Sequence, residues 1–421
     1  MRRLLGGVVL IALLVAATVV VLNLRDEDGV SATSGAPSTP EQIARGEALA
    51  RAGNCMGCHT ARGGQPFAGG RGIVTPFGTV FSSNLTPDAT TGLGAWTSAH
   101  FWRALHNGRS RDGRLLYAAF PYPNYTLVTR EDSDALFAFL RSLPPTVRAN
   151  QPHALRFPYD TQAALAVWRA LYFRVAKFEP DAARSAEWNR GAYLVQGLGH
   201  CNACHASRNA LGAPSSALDL GGGLIPMQNW YAPSLASAQE AGVATWTSEQ
   251  IVALLKTGVT AYASTLGPMA EVVAGSTQYL SDGDLAAMAV YLKAVPQAAA
   301  TPQARASQTA GASGPGAKLY ERHCAQCHGD AGEGAPGAYP ALAGNRAVTI
   351  DPPANLVRVV LGGGFPPATA GNQHPFGMPP FATVLGNDEV AAVVSYIRAA
   401  WGNGAAPASP LDVNRYRSSS Q

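Results

Sequence analysis

Charged residues are scarce in this sequence. They form 14% of its 421 residues, against about 25% in an average soluble protein, so a chain kept unfolded by its own charge is excluded. The net charge of +4 is too small over this length to indicate nucleic-acid binding. Hydrophobic residues make up 47% of the chain, which is enough to build the cores of about two to four compact units.

No cysteine is left over once three pairs are counted. The six cysteines form three Cys-x-x-Cys pairs, and a histidine follows each pair directly. On a helical turn, residues three and four apart share a face, so both thiols and the imidazole can converge on one flat ligand. This spacing is typical of c-type haem attachment, with two thioether bonds to the porphyrin and an axial histidine on the iron. The three predicted sites are Cys55, Cys58 and His59; Cys201, Cys204 and His205; and Cys324, Cys327 and His328.

A second Cys or His pair for each site is also missing, which argues against zinc, because a structural zinc site needs four ligands. Disulfides would explain the cysteine pairs but not the histidine that follows each of them. We therefore expect three covalently bound haem c groups. His200 and His323 directly precede attachment cysteines, and we expect them to have structural roles.

A long apolar run lies at the N-terminus. It extends over the 19 residues from Leu4 to Leu22 and follows Arg2 and Arg3, and a helix needs about 20 residues to span a bilayer. A signal-peptide core is usually only about 7–15 residues, and no small-x-small cleavage site follows closely. Basic residues stay on the cytoplasmic side, so we expect an N-terminal anchor in a bacterial inner membrane, with the haem domains on the periplasmic side. The alternative is an unusually long signal peptide that is removed.

Beyond this run, the chain repeats itself three times. Each copy opens with a short helix that leads into a cysteine pair and closes with an amphipathic helix that begins with polar or acidic residues. No strand-rich stretch competes with these helices, so the predicted fold class is all-α, with three cytochrome c-like domains in tandem behind an N-terminal transmembrane helix. The predicted segments are a transmembrane signal-anchor (1–24), a tether (25–41), domain 1 (42–145), a connecting helix (146–186), domain 2 (187–296), a flexible linker (297–315), domain 3 (316–402) and a disordered tail (403–421).

Two later methionines are the predicted sixth ligands of the iron. Met269 follows His205 by 64 residues and Met378 follows His328 by 50 residues. Each lies in a proline-containing loop just before a closing helix, and proline stiffens such a loop. A thioether ligand raises the reduction potential of a haem. We therefore expect Met269 and Met378 to bind the irons of haems 2 and 3.

Domain 1 has no methionine outside its attachment motif. Phe120 stands where Met269 stands in domain 2, and phenylalanine cannot bind iron. The remaining donors in this part of the chain are His100, His106 and His153. We expect His100 and His106 to lie on a helix surface or near a propionate, which leaves haem 1 with a vacant or weakly ligated sixth position. Bis-histidine ligation is the alternative.

Five further stretches outside the haem motifs are distinctive. They are Asn84-Leu85-Thr86-Pro87-Asp88, Gly94-Ala95-Trp96-Thr97, Trp188 to Leu194, Asn355-Leu356-Val357 and Met378-Pro379-Pro380-Phe381. With them the chain resembles, from about Pro40 to Gly402, the three-haem cytochrome c subunits of bacterial membrane-bound periplasmic dehydrogenases. That resemblance implies a cytochrome without a substrate site, bound to the cytoplasmic membrane. It implies a catalytic partner that is a molybdopterin, quinoprotein or flavoprotein dehydrogenase, and ubiquinone or a terminal oxidase as electron acceptor.

Phe120 also bears on the kind of partner. Alcohol dehydrogenase cytochromes look as if they have methionine at this position, and the Phe-Pro-Tyr version is more similar to cytochromes paired with molybdenum hydroxylases. One alternative function is a stand-alone haem enzyme that uses an open haem 1, but such a site needs polar donors, whereas Ala118, Ala119 and Pro121 are apolar. A cytochrome component of a terminal oxidase is a further alternative.

Overall fold

A computed structural model describes residues 2–25, 38–215, 219–260, 263–298 and 314–417 of the chain. Most of the predicted tether and most of the predicted linker lie outside these described residues. Contacts divide the chain into two compact units. The first comprises Met1–Pro180, Tyr193–His200 and Asn209–Ala213, and the second comprises Asp181–Ala192, Cys201–Arg208 and Pro214–Gln421. Most of the predicted domain 2 and all of the predicted domain 3 therefore fall in one unit.

The apolar N-terminal run forms a single helix, α1 (Arg2–Leu24). Its apolar side chains are exposed, and by length and composition it can cross a membrane. Its C-terminal end is different, because Asn23 is buried. The Asn23 side chain donates a hydrogen bond to the carbonyl of Ala166 at 2.9 Å and accepts one from Nε of Arg169 at 2.9 Å. One end of α1 is thus tied to the folded part of the first unit.

The first cysteine pair follows α2 (Pro40–Ala52), whose N-cap Thr39 accepts a hydrogen bond from the backbone of Gln42. A three-stranded antiparallel sheet has the order β1-β2-β3, with Gly72 opposite Phe81 and Gly78 opposite Leu155. The elements after α2 are α3 (Cys55–Cys58), β1 (Gly72–Thr75), β2 (Gly78–Phe81), α4 (Ser98–Asn107), α5 (Tyr122–Tyr125), α6 (Arg130–Ser142), β3 (Ala154–Leu155) and α7 (Gln162–Tyr172).

The second cysteine pair follows a helix that widens to π geometry in its last turns, a form often found at functional sites. Two short strands, β4 and β5, pair antiparallel with Gly223 opposite Ala232. The elements are α8 (Ala186–Ala192), the π-helix Tyr193–Leu198, α9 (Asn202–His205), β4 (Gly223–Leu224), β5 (Tyr231–Ala232), α10 (Ser248–Thr257), α11 (Pro268–Gly275), a 3₁₀ turn (Thr277–Tyr279) and α12 (Asp282–Lys293).

The third cysteine pair belongs to a region in which the described residues are helical or loop. Its core contains buried side chains from the closing helix, including Val390, Val394 and Ile397. The elements are α13 (Pro315–His323), α14 (Ala325–His328), α15 (Arg346–Thr349), α16 (Ala354–Gly362), α17 (Asn387–Ala399) and α18 (Pro410–Arg417).

The opening and closing helices of the three copies cross in the same way. At each crossing, a glycine of the opening helix lies against the backbone carbonyl of an alanine on the closing helix. A Cβ on that glycine would lie within 2.3 Å of the carbonyl oxygen, so only glycine permits the close approach. The pairs are Gly46 with Ala135, Gly191 with Ala287, and Gly316 with Ala392.

The described residues are mostly helical, as expected, and β-branched residues such as Ile73, Val74 and Val80 lie in the small sheet. Two expectations about the fold need correction. The connecting helix is shorter than the predicted segment 146–186, since α7 covers only Gln162–Tyr172. The tail is not disordered over its described residues.

In that tail, α18 buries Val413 and Tyr416, both at most 1% exposed, in the core of the third region. The sequence did contain a signal for this helix. Ser409 and Asp412 bond each other's backbone N–H groups as a helix-starting pair, and Pro410 occupies the first turn, where proline is favoured.

Candidate haem sites

Each cysteine pair lies on a single helical turn. In all three copies, the backbone N–H of the histidine donates to the carbonyl of the first cysteine, four residues earlier, at 2.9 Å. This i to i−4 bond closes a helical turn, which presents both thiols and the imidazole on one side as their spacing predicts. The three bonds join His59 to Cys55, His205 to Cys201 and His328 to Cys324.

All six thiols are free in the structure. Burial raises the pKa of the first cysteine in each pair, to about 12 for Cys55 and Cys201 and to about 11 for Cys324. Among the described residues, no group of three or more His, Cys, Asp or Glu side chains could hold a metal ion. The two thiols and the histidine of each turn are the groups that thioether attachment and axial ligation of a haem c need.

The three motif histidines share a second feature. In each, ring atom Nδ1 lies within hydrogen-bond distance of a backbone carbonyl from a later loop. Burial lowers the pKa of all three imidazoles, which favours the neutral ring, so Nδ1–H donates and Nε2 keeps a lone pair, as an iron-binding imidazole needs. The pairs are His59 with Ser83 at 2.7 Å, His205 with Pro233 at 2.7 Å and His328 with Pro340 at 2.9 Å.

These three carbonyls are site residues that the motif analysis missed. A signal for them exists in the sequence, since each acceptor precedes a leucine by two positions: Ser83-x-Leu85, Pro233-x-Leu235 and Pro340-x-Leu342. The distance from the histidine to its acceptor varies from 12 to 28 residues. Because the spacing is not fixed, the pattern becomes visible only once the hydrogen bonds are known.

Met378 lies in a short antiparallel bridge with Gly364. Their backbones exchange two hydrogen bonds, of 2.8 and 3.0 Å. Gly363 supports the same loop so closely that a Cβ there would lie 2.3 Å from the carbonyl oxygen of Met378. Met378 and Cys324 both pack against the core of the third region. The structure therefore brings this predicted ligand and its predicted attachment cysteine to the same core.

Met269 lies in the first turn of α11 rather than in a loop. Gly267, the N-cap of that helix, has a positive φ of 55°, and Pro268 takes an early helical position where proline fits. The indole of Trp230 lies against Gly267, since a Cβ there would be 2.6 Å from the ring. Met269 itself is half-buried. Its role as a ligand remains a prediction.

The two histidines on α4 have other partners. Nδ1 of His100 lies 3.2 Å from the backbone N of Thr97, the N-cap of that helix. His106 is buried and stacks on Trp102, with ring centroids 4.3 Å apart. His100 thus has a partner at the start of its own helix, whereas His106 is buried and does not lie on the expected helix surface.

Phe120 belongs to an aromatic group beside the first attachment site. Its ring lies 5.4 Å from that of Tyr125, which donates to the carbonyl of Gly53. Burial, and then the neighbouring thiols of Cys55 and Cys58, raise the pKa of Tyr125 well above its usual value. The aromatic group therefore lies next to the cysteines that would hold haem 1.

The histidines that precede the second and third cysteine pairs also have local partners. His200 packs edge-on against Tyr125 and places Nε2 3.3 Å from the carbonyl of Gly53. His323 packs edge-on against Phe381 at 5.8 Å. Both histidines therefore have partners close to their attachment turns, and their structural roles stay predictions.

Known cytochrome proteins are similar to this chain over most of its length. The Cytochrome c family matches residues 43–144 and 313–401. The cytochrome c subunit of the quinone alcohol dehydrogenase of Gluconacetobacter polyoxogenes is 37% identical over 89% of this chain and 84% of its own length. The gluconate 2-dehydrogenase cytochrome c subunit of Pantoea cypripedii is 38% identical over 86% of each chain.

A third relative is a nicotinate dehydrogenase subunit of Pseudomonas putida. It is 38% identical over 86% of this chain but only 31% of its own length. The attachment turns, the neutral histidines and relatives that cover most of the chain all agree with the resemblance drawn from the sequence motifs. The chain belongs to the family of cytochrome c subunits of dehydrogenase complexes.

Proposed function

We propose that this chain carries three covalently bound haem c groups and passes electrons from the catalytic subunit of a periplasmic dehydrogenase to ubiquinone or a terminal oxidase. The observation that carries the proposal is one arrangement that occurs three times, a Cys-x-x-Cys-His turn whose histidine Nδ1 is held by a backbone carbonyl. A haem bound at such a turn supplies one-electron chemistry. The chain's own residues attach the porphyrin edge and orient the axial imidazole.

The evidence for the middle haem is the repeat within the chain, because the two regions that match the Cytochrome c family lie on either side of this site. Cys201, Cys204 and His205 form the same turn as the other two motifs. The opening helix before them crosses its closing helix at Gly191 and Ala287, as in the other copies. These features support a third cytochrome c domain in the middle of the chain.

We expect the intact mass of the mature protein to exceed that of the polypeptide by three haems. Six cysteines in three complete motifs supply two thioether bonds for each group. A Cys201→Ala/Cys204→Ala variant should lose one haem and keep the other two. A fully matured wild type with two haems or fewer would contradict the proposal, as would a double variant with unchanged haem content.

Within the dehydrogenase class, we propose a molybdenum hydroxylase as the partner. Phe120 supports this assignment, since the Phe-Pro-Tyr version resembles cytochromes paired with such enzymes. The relative from a nicotinate dehydrogenase supports it as well. The relatives named for quinone alcohol and gluconate dehydrogenases make quinoprotein and flavoprotein partners the outcomes against which the proposal is tested.

The test of function uses the full chain, purified from gently solubilised membranes of its own organism. We expect a dehydrogenase to co-purify, its cofactor to contain molybdopterin, and an aldehyde or N-heterocycle to reduce the haems, as followed by their visible absorption. A ubiquinone analogue should then reoxidise them. Reduction by alcohols through a quinoprotein would overturn the partner assignment. Peroxide turnover by the isolated chain, with no reduction through any dehydrogenase, would favour a stand-alone haem enzyme.

We also propose that α1 is retained as a membrane anchor in the bacterial inner membrane, with the haem domains in the periplasm. The hydrogen bonds of Asn23 with Arg169 and Ala166 support retention, because they join the end of α1 to the folded unit. A further bond runs from Arg109 to the carbonyl of Asn23 at 3.0 Å. A cleaved segment would make no such contacts in the mature protein.

If α1 is retained, the haem protein should stay with membranes after a high-salt wash, since a spanning helix is effectively irreversible compared with surface binding. N-terminal sequencing should then find Met1 or Arg2. A mature chain that begins near Ser31 would show that the segment is removed and that any membrane attachment runs through partners.

A further inference from the structure

One short segment of the second unit contacts the surroundings of both predicted axial ligands of haem 2. At one end of residues 230–233, the indole of Trp230 packs against Gly267, two residues before Met269. At the other end, the carbonyl of Pro233 accepts the hydrogen bond from Nδ1 of His205 at 2.7 Å. The position of this segment therefore affects the surroundings of both predicted axial ligands, His205 and Met269.

Side chains of helix α16, in domain 3, hold this segment in place. The side-chain amide of Asn355 accepts from the backbone N–H of Tyr231 at 2.8 Å and donates to the carbonyl of the same residue at 2.7 Å. The guanidinium of Arg358 lies over the ring of Trp230, 4.9 Å from its centroid, which is within the range of a cation–π contact. Asn355 and Arg358 are three residues apart and so share one face of the helix.

We propose that Asn355 and Arg358 are positioning residues for haem 2, holding residues 230–233 so that His205 and Met269 keep the geometry they need at the iron. This inference rests on the proposed haem 2 site. Partners outside the ligand set orient the ligands and tune the metal. The positioning residues here come from domain 3, so the properties of haem 2 depend on the docking of the domain that carries haem 3.

The other end of α16 leads into the ligand loop of domain 3. The helix ends at Gly362, and the next two residues support Met378, Gly363 by close approach and Gly364 by two backbone hydrogen bonds. One helix thus connects the segment behind Met269 with the loop that carries Met378.

The experiment is a redox titration of the full holoprotein with the variants Asn355→Ala and Arg358→Ala. We expect each to lower the midpoint potential of haem 2 and to weaken the sulfur-to-iron charge-transfer absorption of the oxidised protein, because the thioether favours ferrous iron and the start of α11, which carries Met269, has lost support. Reduced haem 2 should also gain carbon monoxide binding. Arg358→Lys keeps a charge above Trp230 and should shift the potential less than Arg358→Ala.

The chain offers a matched control at the same contact between domains 2 and 3. Arg346 lies over Trp246 at 5.9 Å and donates to the carbonyl of Gly242, whereas Asn355 and Arg358 contact Tyr231 and Trp230. Arg346→Ala should therefore leave the haem 2 wave unchanged. If it shifts that wave as much as Arg358→Ala does, or if neither positioning variant shifts it, the inference is wrong. Haem 2 is identified as the wave that Met269→His moves; if that variant moves none, it is the site assignment that fails.

Discussion

Replacing Met378 with histidine is expected to lower the midpoint potential of one haem and to leave the other two unchanged. Replacing Met269 with histidine should do the same to a different haem. The reason is the preference of a soft thioether for ferrous iron, which imidazole does not share. Axial ligands spread haem potentials over about 0.8 V, so we expect each shift to be on the order of 0.1 V.

The surroundings of the two methionines indicate that the protein will tolerate both substitutions. Met378 and Met269 are half-buried; backbone hydrogen bonds with Gly364 fix the chain at Met378, and Met269 lies in the first turn of α11, which begins after its N-cap Gly267. Histidine at either position should therefore leave the fold and the haem content largely intact. Intact mass and thermal unfolding of each variant check this before the potentials are compared.

Met227 provides the control. Its side chain is 56% exposed, and it lies upstream of α10, where the other copies have no predicted ligand. Met227→His should change none of the three potentials. If Met227→His moves a wave and Met269→His does not, Met269 has been wrongly assigned as the ligand of haem 2. If neither Met269→His nor Met378→His moves any wave, both ligand assignments are wrong.

The attachment turns could be predicted because their geometry is local. Cys201, Cys204 and His205 lie within five residues, and helical spacing alone places them on one face. The crossing glycines recur 8–10 residues before the first cysteine of each pair, although the alanines that they meet lie on distant helices. Features that depend on a single turn of the chain, or on a motif that the chain repeats, can be predicted from the sequence alone.

Features that depend on partners far away in the sequence could not be predicted in this way. The carbonyl of Pro233 becomes a partner of His205 only through the fold between them, and Asn355 meets Tyr231 across 124 residues. The helix at the C-terminus shows the same limit, since Val413 and Tyr416 look like isolated apolar residues in a polar tail. They become core residues because the third region offers a surface for them.

Haem 1 should lack methionine ligation, which gives the largest spectroscopic difference expected among the three haems. Phe120 stands in the place of the methionine, and its ring packs on Tyr125 beside Cys55 and Cys58. His100 is bonded to Thr97 and His106 is buried against Trp102. Since both α4 histidines already have partners, we expect a vacant or weakly ligated sixth position rather than bis-histidine ligation.

Low-temperature electron paramagnetic resonance of the oxidised holoprotein should then show a high-spin ferric signal from one haem, and the reduced protein should bind carbon monoxide at that haem. Phe120→Met supplies the missing thioether. It should convert the high-spin signal to low-spin, raise the potential of haem 1 and reduce carbon monoxide binding. Phe137→Met, in the same domain but paired with Phe101 on α4, is the matched control and should change none of these properties.

Two results would contradict this assignment in different ways. A low-spin haem 1 that becomes high-spin in His100→Ala or His106→Ala would show that one of these histidines leaves its present partner and binds the iron. Its potential should then lie below those of haems 2 and 3, because the thioether is missing. Three Met/His low-spin centres in the wild type would overturn the argument altogether, since the third methionine would have to come from outside domain 1.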